Sequence, residues 1–556
     1  SFVWLWPITH RFLRPLNYGK PVTAAAGFGL SIGVLSLYMM TLGLLPGLWL
    51  RPVFVLPLPW LVLAYEGWLW KMRVQKYGGK RASVKDLRAS ISLLSTALSP
   101  WLSLICISGL MVILINTVSY PFYRDDVLSR FAPNARLLFE TSYVPVTLTG
   151  YPLAVQLMYA FAFMASGEVN DHMAGMVVAA FAGAMILVTF AIGNALFPRR
   201  AAWMAIFLLL SSPLFVDWST SGYVDVPVGV YHGLTFLFAF SWVKGGERHS
   251  AVLTGVMAGL ALWTKQSALV MIIAIAIAPL LRGWPRRNVR AEISNSLVAL
   301  TVMTLIAGPW YIRNLLLDGI HSVLPAPGAY DAQFVDHSLQ SLLTFIGDIT
   351  EWGVCFSVAA MVGFSLWLSH MLGLRGPPHR SEFHIRYTLL LAAFIVPYHL
   401  IWWKGFSYQT RYLLASAPMY AALAGYGADW IIRHLPSASR IPRWSIIVIA
   451  SVAVLLGSYK RIGAVYHLII HPLQNDDAKL TRLSPESWSL VKHIRETIDP
   501  GSRLYVMDGT LAYWLHEYEL LQGYPTHLSD LRGQDYFVTA QASESVYRFY
   551  GTSDNE

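Results

Sequence analysis

Residues 172–216 read HMAGMVVAAFAGAMILVTFAIGNALFPRRAAWMAIFLLLSSPLFV, two apolar runs joined by the turn Phe197-Pro198-Arg199-Arg200. A helix of about 20 apolar residues crosses the hydrocarbon core of a bilayer, and a turn carrying two arginines resists translocation and stays on the cytoplasmic side. Working outward from this hairpin, further apolar runs fall at 22–45, 53–70, 98–118, 227–243, 251–263, 267–282, 294–310, 351–371, 387–402, 412–431 and 444–459, giving thirteen in all. The chain has 556 residues, 55% hydrophobic and 13% charged, where an ordinary soluble chain carries roughly 25% charge. These values, with a mean hydropathy of +0.49, exclude a soluble enzyme. The expected fold is an all-α polytopic membrane protein of about thirteen transmembrane helices, with a long outer first loop carrying interfacial helices and a small C-terminal α/β domain.

Charge placement fixes the expected topology. Residues 1–21, 71–88, 196–200, 244–250, 282–290, 372–386 and 432–443 together hold 24 Lys and Arg against three acidic residues, Asp86, Glu247 and Glu382. The opposite loops, leaving out the C-terminal tail, hold 8 basic and 12 acidic residues. This is the positive-inside pattern, and it makes the N-terminus cytoplasmic and the tail extracytoplasmic. The apolar segment 151–166 must then lie at the interface without crossing, because a crossing there would carry Arg199, Arg200 and every later basic loop to the outer side. An N-terminal signal peptide is not expected, since the first apolar run is too long. The organisation that follows is a two-span extension with a basic linker at 1–97, a core at 98–474 and a soluble tail at 475–556. In the tail, Ser484-Pro485-Glu486 opens a helix to about Thr497, while 502–507 and 536–539 read as strands.

Cys106 and Cys355 lie in apolar stretches, which excludes a disulfide framework. There is no GxxxxGK[ST] loop, HExxH or paired CxxC. His321 and His337 share an outer loop with Asp331 and Asp336 at spacings that match no metal pattern. The basic blocks lack the interleaved aromatics of a nucleic-acid surface, so no nucleic-acid partner is expected. Charge inside spans is nearly absent; Glu66 lies near a cytoplasmic end, where it can reach the interface.

The polar residues gather at the outer ends. The first outer loop begins YPFYRDDVLSRFAPNARLLFE, with Arg124 beside Asp125 and Asp126. One carboxylate can take a proton from a hydroxyl while the arginine holds an anion; equally, acids favour a helix start. Adjacent helical positions face different ways, so only one of the pair should point into a site. A second outer turn, DWSTSGYVDVPVGVYHG, contributes Asp217 and Asp225. Lys265, Arg313, Lys404 and Arg411 place cations at the outer ends of spans. Each alone is a common interfacial anchor, but together they suggest a shared anionic ligand such as a phosphate.

With these residues the sequence resembles the GT-C integral-membrane glycosyltransferases, near the protein O-mannosyltransferase and lipid A aminoarabinose-transferase branch. The stretches that carry the resemblance are YRDDVLSRFAPNARLLFE with YPLAVQLMYAF, SGYVDVPVGVYHGLTFLFAF, GLALWTKQSAL, GPWYIRNLLL and TRYLLASAPMYAALA, in the family's order over roughly 98–431. The chain departs from the mannosyltransferase pattern in having Asp-Asp for Asp-Glu and Gly150-Tyr151-Pro152 for His-Pro-Pro, and in lacking a large luminal domain.

The resemblance implies a GT-C-like core in a multi-pass protein of a membrane such as the bacterial plasma membrane. It implies transfer of a sugar from a polyprenyl-phosphate carrier to a hydroxyl of a lipid, glycan or protein at the outer face. By position, Asp125 or Asp126 corresponds to the catalytic base, Asp225 to a second carboxylate, and Lys265, Arg313 and Arg411 to candidates for the carrier phosphate. Arg124 and Lys404 complete the set of candidate anion-binding residues. No obligatory divalent ion is expected, although other members of the superfamily use one. Two other classes stay open: a lipid-linked sugar flippase, and a non-catalytic subunit of a larger membrane complex.

Overall fold

The computed structural model describes residues 4–13, 18–76, 100–283, 289–324, 332–342, 348–372, 385–434, 443–506, 509–522, 535–541 and 546–551. Most of the basic linker, from residue 77 on, lies outside the described residues, as do Asp86, Glu382, Asp331, Met507 and Asp508.

Over the described residues, each of the thirteen apolar runs falls largely on helix. Among the described residues seven helices are long and apolar enough to cross a bilayer, including Lys20–Leu44, Asp171–Leu196, Asp225–Gly245 and Ile385–Gly405. The protein is a multi-pass integral membrane protein. Several of the other runs are broken near one end, for readable reasons. The run 201–216 stops after Arg199–Leu210 because Ser212 caps a new helix, accepting the Phe215 amide, with Pro213 at its first position. The runs at 267–282 and 412–431 open as tight 3-10 turns, Gln266–Val270 and Thr410–Ser416, before continuing as α-helix.

Small residues let the helices touch. A Cβ on Gly255 would lie 2.3 Å from the Ala299 carbonyl oxygen, which seats Arg248–Thr264 against Val289–Asp318. Gly363 and Gly427 do the same between Val354–Met371 and Ala417–His434. Close backbone approach of this kind replaces the hydrophobic drive that helices lack in lipid.

The first N-terminal span joins the core directly. The Tyr231 hydroxyl donates to the Gly29 carbonyl at 2.9 Å, and Trp263 Nε1 donates to Ser36 Oγ at 3.0 Å. The second, Pro57–Lys76, leaves Trp60, Tyr65 and Trp68 exposed. Glu66, expected to reach the interface, is buried and paired with Arg11. Helix Ala154–Ser166 has 13 residues, a rise of about 20 Å, too short for a core of about 30 Å. Instead of one face against lipid, it is buried almost all round, packed by Lys20–Leu44, Ala132–Thr141 and Asp171–Leu196.

In the tail, Pro485–Thr497 is helical as read, but Ser484 makes no side-chain cap; Asn475, which caps Asp476–Leu483, does. The sheet runs β2-β1-β3-β4, where β1 is Arg503–Val506, β2 Glu519–Gln522, β3 Asp535–Gln541 and β4 Val546–Gly551. β1 is parallel to β2 and β3, while β3 and β4 are antiparallel. β2 and β4 were not anticipated: ELLQ is too short to show alternation.

The glycine contacts give a direct test. A Cβ on Gly427 would come within 2.0 Å of the Ala359 carbonyl oxygen, whereas one on Gly67 would meet nothing within 4 Å. Gly427→Val should lower stability by about 1–3 kcal/mol, read as a lower melting temperature in detergent, and Gly67→Val should not. Equal melting temperatures for the two would contradict this packing.

Candidate functional site

Segments far apart in sequence meet at one end of the bundle. The first is the coil Tyr120–Tyr123, which leads into Arg124, Asp125 and Asp126 and then a π-helical turn, Val127–Phe131. Asp126 Oδ2 accepts a hydrogen bond from Arg411 Nη2 at 2.6 Å, across 285 residues, and the Asp126 amide donates to the Tyr223 hydroxyl at 3.0 Å. The second is the turn before Asp225. Gly222 has φ +81, and a Cβ there would sit 2.9 Å from the Phe122 ring, so only glycine lets this turn approach the first loop. The Gly222 carbonyl is held by the Tyr159 hydroxyl at 2.7 Å.

Asp225 opens its helix, where an acid is favoured, and its Oδ1 accepts from Lys265 Nζ at 2.5 Å. Lys265 leaves the end of Arg248–Thr264 in an extended conformation just before the 3-10 turn, which turns its side chain toward Asp225. The pair is buried, 7% and 2% exposed. Lys265 Nζ also lies 4.3 Å from the Tyr412 ring centre. Arg411, from the 3-10 turn Thr410–Ser416, is packed by Tyr223 at 4.4 Å, Trp218 at 4.9 Å and Tyr412 at 5.1 Å.

Burial works against both cations, but the carboxylates outweigh it: Asp225 raises the Lys265 pKa, and Asp225 with Asp126 raises that of Arg411. Burial, reinforced by the Asp126 charge, pushes the Tyr223 phenol up to about 12. Removing charges from water costs several kcal/mol per ion, so buried pairs are weak devices for stability. Two such pairs side by side, one fully buried and one with a partly exposed Asp126, ringed by aromatics, mark a candidate functional site.

The other sequence candidates lie elsewhere or are otherwise engaged. Asp125 is exposed, and no ion pair is formed by it among the described residues. Arg124 stacks on Tyr123 at 5.3 Å and on Trp218 at 5.5 Å, sharing that indole with Arg411, and its buried Nε has no hydrogen-bond partner. Arg313 is taken up by backbone: it donates to the carbonyls of Leu148 and Pro145 at 2.9 and 2.8 Å. Beside it, Trp310 and Asn314 both donate to the Gly150 carbonyl, at 3.3 and 3.2 Å. The PWYIRN turn therefore clamps the end of the first outer loop, just before Tyr151, instead of presenting a free cation. Lys404 is exposed and lies 4.8 Å from the Trp403 ring. Asp217 pairs with Arg461 at 2.8 Å, and Arg461 also donates to the Tyr123 hydroxyl at 2.7 Å. Asp336 accepts from the amide and hydroxyl of Ser338, and no metal-binding group of three forms among the described residues.

The sequence reading missed Trp218, Tyr223, Tyr412, Tyr159 and Arg461. In a chain that is 13% aromatic, no spacing distinguishes the rings that pack around the cations.

A family model described as dolichyl-phosphate-mannose-protein mannosyltransferase matches residues 151–312, a segment that contains Asp225 and Lys265. A search of curated proteins finds no match. Among solved structures, the chain is similar to ArnT from Cupriavidus metallidurans bound to undecaprenyl phosphate, at 15% identity and a TM-score of 0.52, over 77% of this chain and 86% of that one. The apo state of the same ArnT matches equally. The archaeal oligosaccharyltransferase AglB from Archaeoglobus fulgidus, in complex with an inhibitory peptide and a dolichol-phosphate, matches at 13% identity and a TM-score of 0.48, over 76% of this chain and 64% of that one. The matched segment is thus similar to the mannosyltransferase family, and the fold as a whole is similar to that of ArnT.

Proposed function

We propose that the protein transfers a sugar from a polyprenyl-phosphate carrier to an acceptor hydroxyl at the extracytoplasmic face. The observation that carries this reading is the convergence of Asp126–Arg411 and Asp225–Lys265 into one cluster in which Asp126 alone is partly exposed. The sequence assigns the Lys/Arg-rich loops to the opposite ends of the spans, and by the positive-inside rule that charge bias supports an extracytoplasmic cluster. The ArnT of similar fold was solved with undecaprenyl phosphate, which supports a carrier of that class.

In this scheme Lys265 and Arg411 neutralise the carrier phosphate, as fixed cations aimed at the charge that develops on the leaving oxygen. Asp225 holds Lys265 in place. Asp126 accepts the proton of the attacking hydroxyl while that oxygen forms a bond to the sugar's anomeric carbon and the polyprenyl phosphate departs with the bonding electrons. A phosphate arriving at Arg411 competes with Asp126 for the guanidinium, so donor binding itself releases the base. Arg313 serves as a clamp on the loop, and no obligatory divalent ion enters the scheme.

Purified protein incubated with undecaprenyl-phosphoryl mannose and other polyprenyl-phosphoryl monosaccharides tests the reading. Asp126→Asn should lower turnover by about 100–10,000-fold while undecaprenyl phosphate still binds, and Asp125→Asn should have a much smaller effect. Movement of the lipid-linked sugar across vesicles without its cleavage would replace the proposal with a flippase, and neither activity would favour a non-catalytic subunit.

The ion pair makes a separate prediction. Asp225→Asn strands a buried ammonium and should cost about 3–5 kcal/mol, and Asp225→Asn with Lys265→Met should recover most of the loss. A single variant as heat-stable as the parent would show that the pair is not buried as described.

A further inference from the structure

The C-terminal unit touches the acidic loop through two adjacent residues at the start of helix Asp171–Leu196. Asp171 Oδ2 accepts the Phe122 amide at 2.9 Å, and Oδ1 accepts the hydroxyl of Tyr513. Tyr513 closes the 3-10 turn Gly509–Tyr513 and is buried; its carbonyl accepts from Arg136 Nη1 at 3.4 Å. The next residue, His172, places Nδ1 2.8 Å from the Val118 carbonyl oxygen and Nε2 2.8 Å from Asp476 Oδ2. Val118 lies just before the coil that delivers Asp125 and Asp126 and Phe122 lies within it, so the coil is tied to the tail at two points through one helix start.

A second contact lies on the far side of the acids. The 3-10 turn Gly509–Tyr513 packs against the π-turn Val127–Phe131. A π-turn inserts a residue into the helical repeat, and such turns concentrate at functional sites. Here it sets the phase of the segment: Asp126 faces Arg411, Asp125 faces outward, and Phe131 packs edge-on against Tyr151 at 5.6 Å and Tyr223 at 6.1 Å.

We propose that the C-terminal unit is a working part of the site, and that Tyr513 and Asp171 are positioning residues that fix Phe122–Phe131 and so hold the Asp126 carboxylate where an acceptor hydroxyl meets it. The inference rests on the proposed transfer reaction for its kinetic consequence but not for its structural one. Loss of the Tyr513 hydroxyl frees the coil and the π-turn while leaving Lys265 and Arg411 in place. The base is then misplaced in a site that still binds carrier phosphate.

The test uses the full chain in detergent, comparing wild type with Tyr513→Phe, and with Glu496→Ala on an exposed part of the tail as a control. Hydrogen exchange of peptides covering 120–131 should quicken by about tenfold in Tyr513→Phe, with peptides covering 259–270 unchanged and Glu496→Ala like wild type. Undecaprenyl phosphate should bind within about twofold of wild type. With a polyprenyl-phosphoryl sugar that wild type turns over, kcat should fall by about tenfold or more and KM should stay within about twofold. Wild-type exchange over 120–131, exchange quickened throughout the chain, or a change confined to KM would each overturn the proposal. If wild type turns over no such sugar, the transfer reading falls and the exchange result alone decides the positioning role.

Discussion

Burying a charge inside an apolar bundle is tolerated only when its partner arrives with it. Lys265 and Arg411 reach the same end of the bundle from separate helix ends, and each is met by a carboxylate, Asp225 or Asp126, from another segment. The surrounding backbone is shaped by this requirement. Lys265 leaves its helix extended, Arg411 rides on a 3-10 turn, Gly222 lets the second turn approach the first, and a π-turn orients Asp126. Regular α-helix continues once the charged residues have been delivered.

The same arrangement explains why these groups suit phosphate chemistry. At rest the cations are neutralised by carboxylates and screened by Tyr223, Tyr412 and Trp218, so neither is left without a counter-charge. A polyprenyl phosphate is amphipathic in the way the site is, with an anionic head suited to the cations and a tail suited to the bilayer. Under the proposed function, exchange of one anion for another at Arg411 would keep the charge balance and turn a structural carboxylate into an available base. In the proposed scheme the C-terminal unit, linked through Asp171 and His172 to the coil that leads into Asp126, belongs to this machinery.

The sequence made the membrane architecture legible because hydropathy and Lys/Arg bias are summed over whole segments, and single errors average out. The apolar runs proved largely helical over their described residues, and 151–166 holds a buried 13-residue helix. What was less legible depended on single contacts. Asp126 and Arg411 are 285 residues apart, and nothing local says which of two adjacent aspartates faces the arginine; an unforeseen π-turn decides it. Arg313 carries the same charge as Arg411, but its guanidinium is spent on the carbonyls of Pro145 and Leu148, partners that no side-chain pattern reveals. The staple at Asp171 and His172 escaped notice because an acid at a helix start already has a sufficient local reason to be there.

The decisive experiment is a density map of the protein saturated with undecaprenyl phosphate. The expected result is a phosphate within hydrogen-bonding distance of both Lys265 Nζ and the Arg411 guanidinium, with the Asp126–Arg411 contact opened and the isoprenoid chain running toward the bilayer. A phosphate bound elsewhere, with both ion pairs intact, would contradict the proposed chemistry.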